Sequence, residues 1–156
     1  MYRKILVPLD GSKSSENVLP HVQTIAKSCP QCEIILFRVC EPPVVLADYP
    51  ADLNPKWEEH VKDETAHLSQ VCRLYLTDAE SKLKVAGLNV RSESGLGKPA
   101  EEILNYAEKN QVDLIIMASH GHSGISRWAY GNVANKVLQA SRIPVLIVKD
   151  EQRAAL

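Results

Sequence analysis

Apolar residues along this chain fall into two alternating rhythms: short continuous runs, and longer stretches with a hydrophobic residue every third or fourth position. The runs at 4–8 (Lys-Ile-Leu-Val-Pro), 33–39 (Glu-Ile-Ile-Leu-Phe-Arg-Val), 112–118 (Val-Asp-Leu-Ile-Ile-Met-Ala) and 144–148 (Pro-Val-Leu-Ile-Val) predict strands, and 88–93 predicts one more, third in chain order. Continuous apolarity is what a parallel strand covered on both faces requires. Between the runs, Val18, Leu19, Val22, Ile25 and Ala26 predict a helix over 16–27 behind the serine caps Ser14 and Ser15, with Pro20 just past its first turn. A Pro-rich loop at 41–55 leads to a long helix over 56–86. Trp57, Val61, Leu68, Val71, Cys72, Tyr75, Ala79, Leu83 and Ala86 lie on or near one of its faces, which is expected to pack on the sheet, and Gly87 is a natural C-cap. Residues 95–99 read as a turn into a helix with Pro99 near its first position and Ile103, Leu104 and Ala107 on the buried side. A last helix over 132–140 carries Val133, Val137 and Leu138.

This alternation predicts an α/β fold: a single doubly wound five-stranded parallel sheet, Rossmann-like, with helices on both faces and right-handed crossovers. Residues 1–150 are expected to form one nucleotide-binding domain and 151–156 a loose tail. With strand order 3-2-1-4-5, a ligand sits beyond the carboxyl ends of strands 1 and 4, where the order reverses. The most polar glycine-bearing loops fall there: Leu9-Asp10-Gly11-Ser12 after strand 1, and Ser119 to Gly124 after strand 4.

The second loop has the makings of an anion site. Gly121, Gly124 and Gly131 let backbone N–H groups turn toward a phosphate, and the helix opening near Gly131 adds unpaired N–H groups and the positive end of its dipole. Asp10 would repel a phosphate but suits ribose hydroxyls, so a nucleotide satisfies both loops. A role for Asp10 as a helix cap stays open, and the two roles are compatible.

Composition narrows the partners. Eighteen basic against nineteen acidic residues give a net charge of −1 with no basic patch, which removes the main term in nucleic-acid binding. No apolar run reaches the roughly 18 to 20 residues of a membrane span, and the start lacks a signal-peptide h-region, so a cytoplasmic location is expected. Cys29-Pro-Gln-Cys32 is a C-x-x-C at the end of a helix, whereas redox pairs of this type open one. Cys40 and Cys72 supply no second zinc-like pair, so all four cysteines are expected as reduced thiols and no metal is assigned. His120 and His122 are read as loop histidines beside an anion, and Arg127 either as a phosphate neighbour or as a solvent-facing arginine.

Val7-Pro-Leu-Asp10-Gly-Ser12, Arg38-Val39 with Glu41-Pro42, and Met117 to Arg127 continuing through Gly131-Asn-Val-Ala to Pro144-Val-Leu-Ile-Val148 resemble the universal stress protein family over essentially the whole chain. Nucleotide-binding members carry glycine, two residues, glycine, nine residues, glycine, then Ser or Thr. Here the pattern falls on Ala118, Gly121, Gly131 and Asn132, with spacing intact but the first glycine and the final hydroxyl replaced. The resemblance implies ATP or AMP, with or without Mg, as ligand. Asp10 would then hold the ribose, Val39 the adenine edge through its backbone, and Met117 and Ala118 would line the base, with Pro8 also among the nucleotide-binding residues. Gly121, His122, Gly131, Asn132 and Val133 would surround the phosphates, Asn132 keeping an N-cap side chain. It also implies a homodimer through the fifth strand, whose Val145, Leu146, Ile147 and Val148 would leave an exposed edge in a monomer.

Catalysis has less support. Residues 118–132 contain no carboxylate to hold a metal or position water, no P-loop Gly-Lys-Ser/Thr occurs, and no serine has a triad arrangement, so no catalytic residue is assigned and ATP turnover is expected to be slow. The alternative is a ligand-free interaction protein that uses the same fold as a scaffold.

Overall fold

In the computed structural model, residues 2–42, 55–120 and 130–149 are described. Five parallel strands form one sheet: β1 (Lys4–Pro8), β2 (Glu33–Cys40), β3 (Val90–Leu96), β4 (Leu114–Ala118) and β5 (Val145–Val148), in the order β3-β2-β1-β4-β5. The expected α/β class and strand order are therefore found. In register, Ile5 faces Ile34 and Leu114, and Ala118 faces Val148.

Residues alternate between the two sides of the sheet, which explains why the strands are apolar throughout. Ile5, Val7, Ile34, Leu36, Leu114 and Ile116 belong to one core; Leu6, Ile35, Phe37, Ile115 and Met117 belong to the other. The first is covered by α2 (Leu19–Ser28) through Val22 and Ala26, and by α3 (Pro55–Val85) through Leu76, Ala79 and Leu83. The second is covered by α4 (Pro99–Lys109) through Ala100, Ile103 and Ala107, and by α5 (Asn132–Ala140) through Ala134 and Val137. Helices thus lie on both faces. No helix among the described residues is long and apolar enough to cross a membrane.

Several local expectations are revised. The predicted first helix is two: α1 (Lys13–Glu16), capped by Ser12 rather than Ser14 or Ser15, and then α2. Pro20 has no N–H to continue the first helix and instead takes an opening position of α2, where that donor is not needed. β3 runs on through Gly95 and Leu96, where a turn was expected. A side chain at Gly95 would meet the Phe37 ring at 2.9 Å, so glycine lets the strand lie against that ring. The apolar stripe of α3 is only partly buried: Val61, Cys72, Leu76, Ala79 and Leu83 pack inward, while Trp57, Leu68 and Val71 are exposed and Ala86 lies beyond the helix. The buried positions Val61, Cys72, Leu76, Ala79 and Leu83 follow a narrower stripe than the one expected, with Val71 about 100° round the helix from Cys72. Gly87 follows it in left-handed backbone (φ +82°), as a C-terminal cap should.

The cysteines are also revised. They are paired, Cys29 with Cys32 and Cys40 with Cys72, at Cα–Cα separations of 5.5 and 6.7 Å, both within disulfide reach. The second pair joins residues 32 apart in sequence, and its proximity is created by packing α3 on β2.

Candidate functional site

Beyond the carboxyl ends of β1, β2 and β4 lies a cavity of about 550 Å³, within the size range of small-molecule sites. It opens at the point where the strand order reverses, the position the topology favours for a ligand. Pro8 and Asp10 contribute from β1 and its loop, Val39 from β2, and Met117 and Ala118 from β4. Gly131, Asn132 and Val133 close it from the start of α5. Eight of the ten candidate residues are therefore brought to one cavity. Gly121 and His122, together with Gly124 and Arg127, lie outside the described residues.

The Asp10 loop is tightly organised. Gly11 has φ +86°, and a Cβ there would lie 3.0 Å from the Arg38 guanidinium, so both conformation and space call for glycine. Asp10 Oδ1 accepts from the Ser12 N–H at 2.9 Å and the Ser12 hydroxyl at 2.5 Å, while Ser12 Oγ accepts from the Ser15 N–H at 3.1 Å. Ser12 is thus the cap of α1, and Asp10 holds the cap in place through an Asx-type turn. This division of labour sets the Asp10 carboxylate in the cavity wall.

At the opposite wall the expected capping role of Asn132 is not found. Gly131 is the N-cap, with no side-chain cap bond, and Asn132 is the first residue of α5. Gly131 also spends its own N–H on the Ser119 carbonyl at 2.7 Å. The first intrahelical bond runs from the Asn135 N–H to the Gly131 carbonyl at 2.9 Å, so by helix geometry the N–H groups of Asn132, Val133 and Ala134 have no intrahelical acceptor. These three donors and the helix dipole form the anion-attracting part of the wall. Gly131 has φ −56°, which any residue adopts; the need for glycine is instead close approach, since a Cβ would lie 3.2 Å from the Ser119 carbonyl oxygen and 3.4 Å from His120 Cα.

Ala118, where the family pattern has glycine, lies inside β4 paired with Val148. Gln111 is the only non-glycine residue with positive φ among those described, so the extra methyl at Ala118 brings no backbone strain.

Ser119 and Arg38 escaped the sequence reading as site residues, and His120, read there as a loop histidine beside an anion, joins them at the cavity. Ser119, buried, and His120 line the cavity, with Ser119 Oγ and His120 Nδ1 3.1 Å apart. Arg38 places a cation in the wall 4.8 Å above the Tyr75 ring, whose hydroxyl donates to Glu16 Oε1 at 2.7 Å. Burial, reinforced by the Glu16 carboxylate, holds the Tyr75 phenol protonated well above its ordinary range. The alternation of β2 was the available signal for Arg38, because it puts Arg38 and Cys40 on the same side as Leu36 at the ligand end of the strand. No group of three or more metal-ligating side chains occurs among the described residues.

An open α/β sheet with a cleft at its reversal point, an acidic loop on one side and a helix N-terminus on the other, defines a Rossmann-like ligand-binding class. A model of the universal stress protein family matches residues 1–149, and the chain belongs to that family. Universal stress protein MJ0577 of Methanocaldococcus jannaschii is 33% identical over 156 residues, covering 96% of each chain. The solved structure of MJ0577 superposes with a TM-score of 0.81 at 32% identity, covering 97% of this chain and 98% of that one. Universal stress protein YxiE of Bacillus subtilis is 32% identical, covering 96% of this chain and all of its own. More distant structures share the fold: a universal stress protein in complex with cAMP (TM-score 0.67, 21% identity, 95% and 97% covered) and an Arabidopsis thaliana family member with AMP bound (0.62, 16%, 99% and 95%).

Proposed function

We propose that residues 1–150 form an adenine-nucleotide-binding unit, and that the protein is a cytoplasmic, ligand-responsive stress regulator. The observation that carries this reading is the placing of the Asp10 carboxylate and the unpaired N–H groups of Asn132 to Ala134 across one cavity whose other walls are largely apolar. A ribose needs an acceptor, a phosphate needs convergent donors, and a base needs flat apolar contact. Met117, Ala118 and Val39 supply the last. Support also comes from the family members found with cAMP or AMP. Binding changes the surroundings of α5, and so what the protein presents to a partner; any ATP hydrolysis is slow.

The reading includes a homodimer through β5. Val145 and Ile147 pack toward one core and Leu146 toward the other, yet among the described residues β5 pairs with β4 alone and so stands at the sheet edge. A second copy would satisfy that edge.

Denaturing the purified protein and identifying the released small molecule by mass spectrometry, followed by calorimetry with ATP and AMP, tests the ligand assignment. An adenine nucleotide in the supernatant, or saturable binding at one site per chain, is expected. Neither ligand binding at millimolar concentration would overturn it in favour of the scaffold alternative.

A further inference from the structure

Cys40 and Cys72 are the cysteines that line the cavity, and neither belongs to the nucleotide contacts derived above. Cys40 ends β2 immediately after Val39, and Cys72 lies on α3 one turn beyond Leu68, which also lines the cavity. Both are buried, about 4% exposed, and both belong to the cavity wall, which is the side open to a small reagent. Their Cα atoms, 6.7 Å apart, are close to the upper limit for a disulfide. A bond therefore holds α3 against the end of β2, and two thiols, which stand farther apart than bonded sulfurs, let the helix relax outward from the cavity wall.

We propose that Cys40 and Cys72 are a hydroperoxide-responsive dithiol whose state sets the affinity of the cavity for its ligand; the second half of this statement rests on the nucleotide reading above. One thiolate attacks a peroxide oxygen, the O–O bond breaks and a sulfenic acid forms with release of water or an alcohol. The second sulfur then attacks the sulfenic sulfur, forming the S–S bond and expelling water. In total the two thiols lose two protons and two electrons, and the peroxide is reduced to water and an alcohol, or to two waters for hydrogen peroxide. A small-molecule dithiol reverses the step by exchange. Such pairs suit a reducing compartment, where disulfides are transient and sensory.

Cys29 and Cys32 provide an internal control. They lie three residues apart between α2 and β2, at the sheet end opposite the cavity, and close almost no chain. Cys40 and Cys72 join two elements across 32 residues, so their bond constrains far more structure.

The full-length protein is reduced with dithiothreitol, desalted and treated with hydrogen peroxide; it is then alkylated and digested for peptide mass spectrometry. ATP affinity is measured calorimetrically on both forms. A linked peptide containing Cys40 and Cys72, reversed by dithiothreitol, is expected, together with at least threefold tighter ATP binding in the oxidised form. That ratio should fall to one in Cys72→Ser, although its Cys29–Cys32 pair still oxidises. Both thiols remaining alkylatable after peroxide would overturn the dithiol, whatever ATP does. Equal affinities in the two wild-type forms would overturn its control of the cavity. A linked peptide with ATP binding in neither form would leave the dithiol standing, and would sink the nucleotide reading and the coupling together.

Discussion

Replacing Gly131 with alanine isolates one contact at the site. The backbone at Gly131 (φ −56°, ψ 156°) is open to alanine, so no conformational penalty applies, and the lower entropy of the unfolded chain favours the variant by about 0.4 to 1 kcal/mol. Against this, the new methyl lies 3.2 Å from the Ser119 carbonyl oxygen and 3.4 Å from His120 Cα, both backbone atoms. Ser119 cannot easily give way. Its N–H bonds the Val148 carbonyl at 2.9 Å, and its carbonyl accepts from the Gly131 N–H at 2.7 Å, so it is held by β5 on one side and α5 on the other. Overpacking of this kind costs about 1 to 3 kcal/mol. The net effect is a destabilisation of roughly 0.5 to 2 kcal/mol, and at about 2 to 4 °C per kcal/mol for a chain of this size the melting temperature should fall by a few degrees. Relief comes from pushing the start of α5 away from β4, which displaces the donors of Asn132 to Ala134. Loss of one hydrogen bond to a charged phosphate, about 1.5 to 3 kcal/mol, weakens ATP roughly ten- to a hundredfold. Differential scanning calorimetry of the ligand-free protein and titration calorimetry with ATP measure the two effects separately. A melting temperature above that of the parent, with unchanged ATP affinity, would refute both the tight approach and the phosphate role of this turn.

Asp10→Asn keeps an acceptor for Ser12, so stability should stay within about 0.5 kcal/mol while AMP and ATP both weaken by roughly tenfold; equal loss of stability and affinity would indicate a purely structural carboxylate. Asn132→Ser, at the first position of α5, should raise the ratio of ATP to AMP affinity a few-fold by letting phosphate oxygens approach the helix end, and an unchanged ratio in calorimetry would remove Asn132 from the phosphate contacts. Asp113 Oδ2 accepts from the Arg3 and Lys4 N–H groups at 2.7 and 2.8 Å, and these bonds hold its carboxyl below the usual carboxylate range. Because the folded-state pKa is depressed, its contribution is complete above the unfolded value and is lost as pH falls through the folded one. Asp113→Asn should therefore cost more stability in urea unfolding at pH 7 than at pH 3, and an equal cost at both would contradict this. Light scattering at micromolar concentration should give a dimeric mass, reduced to monomer or insoluble chain by Leu146→Lys with Ile147→Pro; a monomeric parent sinks the β5 pairing.

The layout of the sheet was legible in the chain because burial on both faces leaves a local record. Ile5-Leu6-Val7, Ile34 to Phe37 and Leu114 to Met117 are apolar at every position, a pattern that only a central parallel strand needs, and the helical spacings between them leave few topologies. From that topology the crevice followed, since loops after strands 1 and 4 must meet at the reversal point, and this placed Asp10 and the helix opening at Gly131; Pro8, Val39, Met117, Ala118, Asn132 and Val133 came instead from the resemblance to the universal stress protein family. What depended on distances between separate elements was not legible. Nothing local to Cys40 or Cys72 reveals that α3 will set one against the other. Nothing local to Gly131 reveals that its conformation is ordinary and its constraint is the Ser119 carbonyl. Trp57, Leu68 and Val71 were read on or near the same face of α3 as Val61 and Leu83, yet are exposed while Val61, Cys72, Leu76, Ala79 and Leu83 are buried; Val71 lies about 100° round the helix from buried Cys72, and Leu68 lines the cavity. Periodicity records which side of an element is apolar, whereas contact is decided by what the rest of the chain places opposite it.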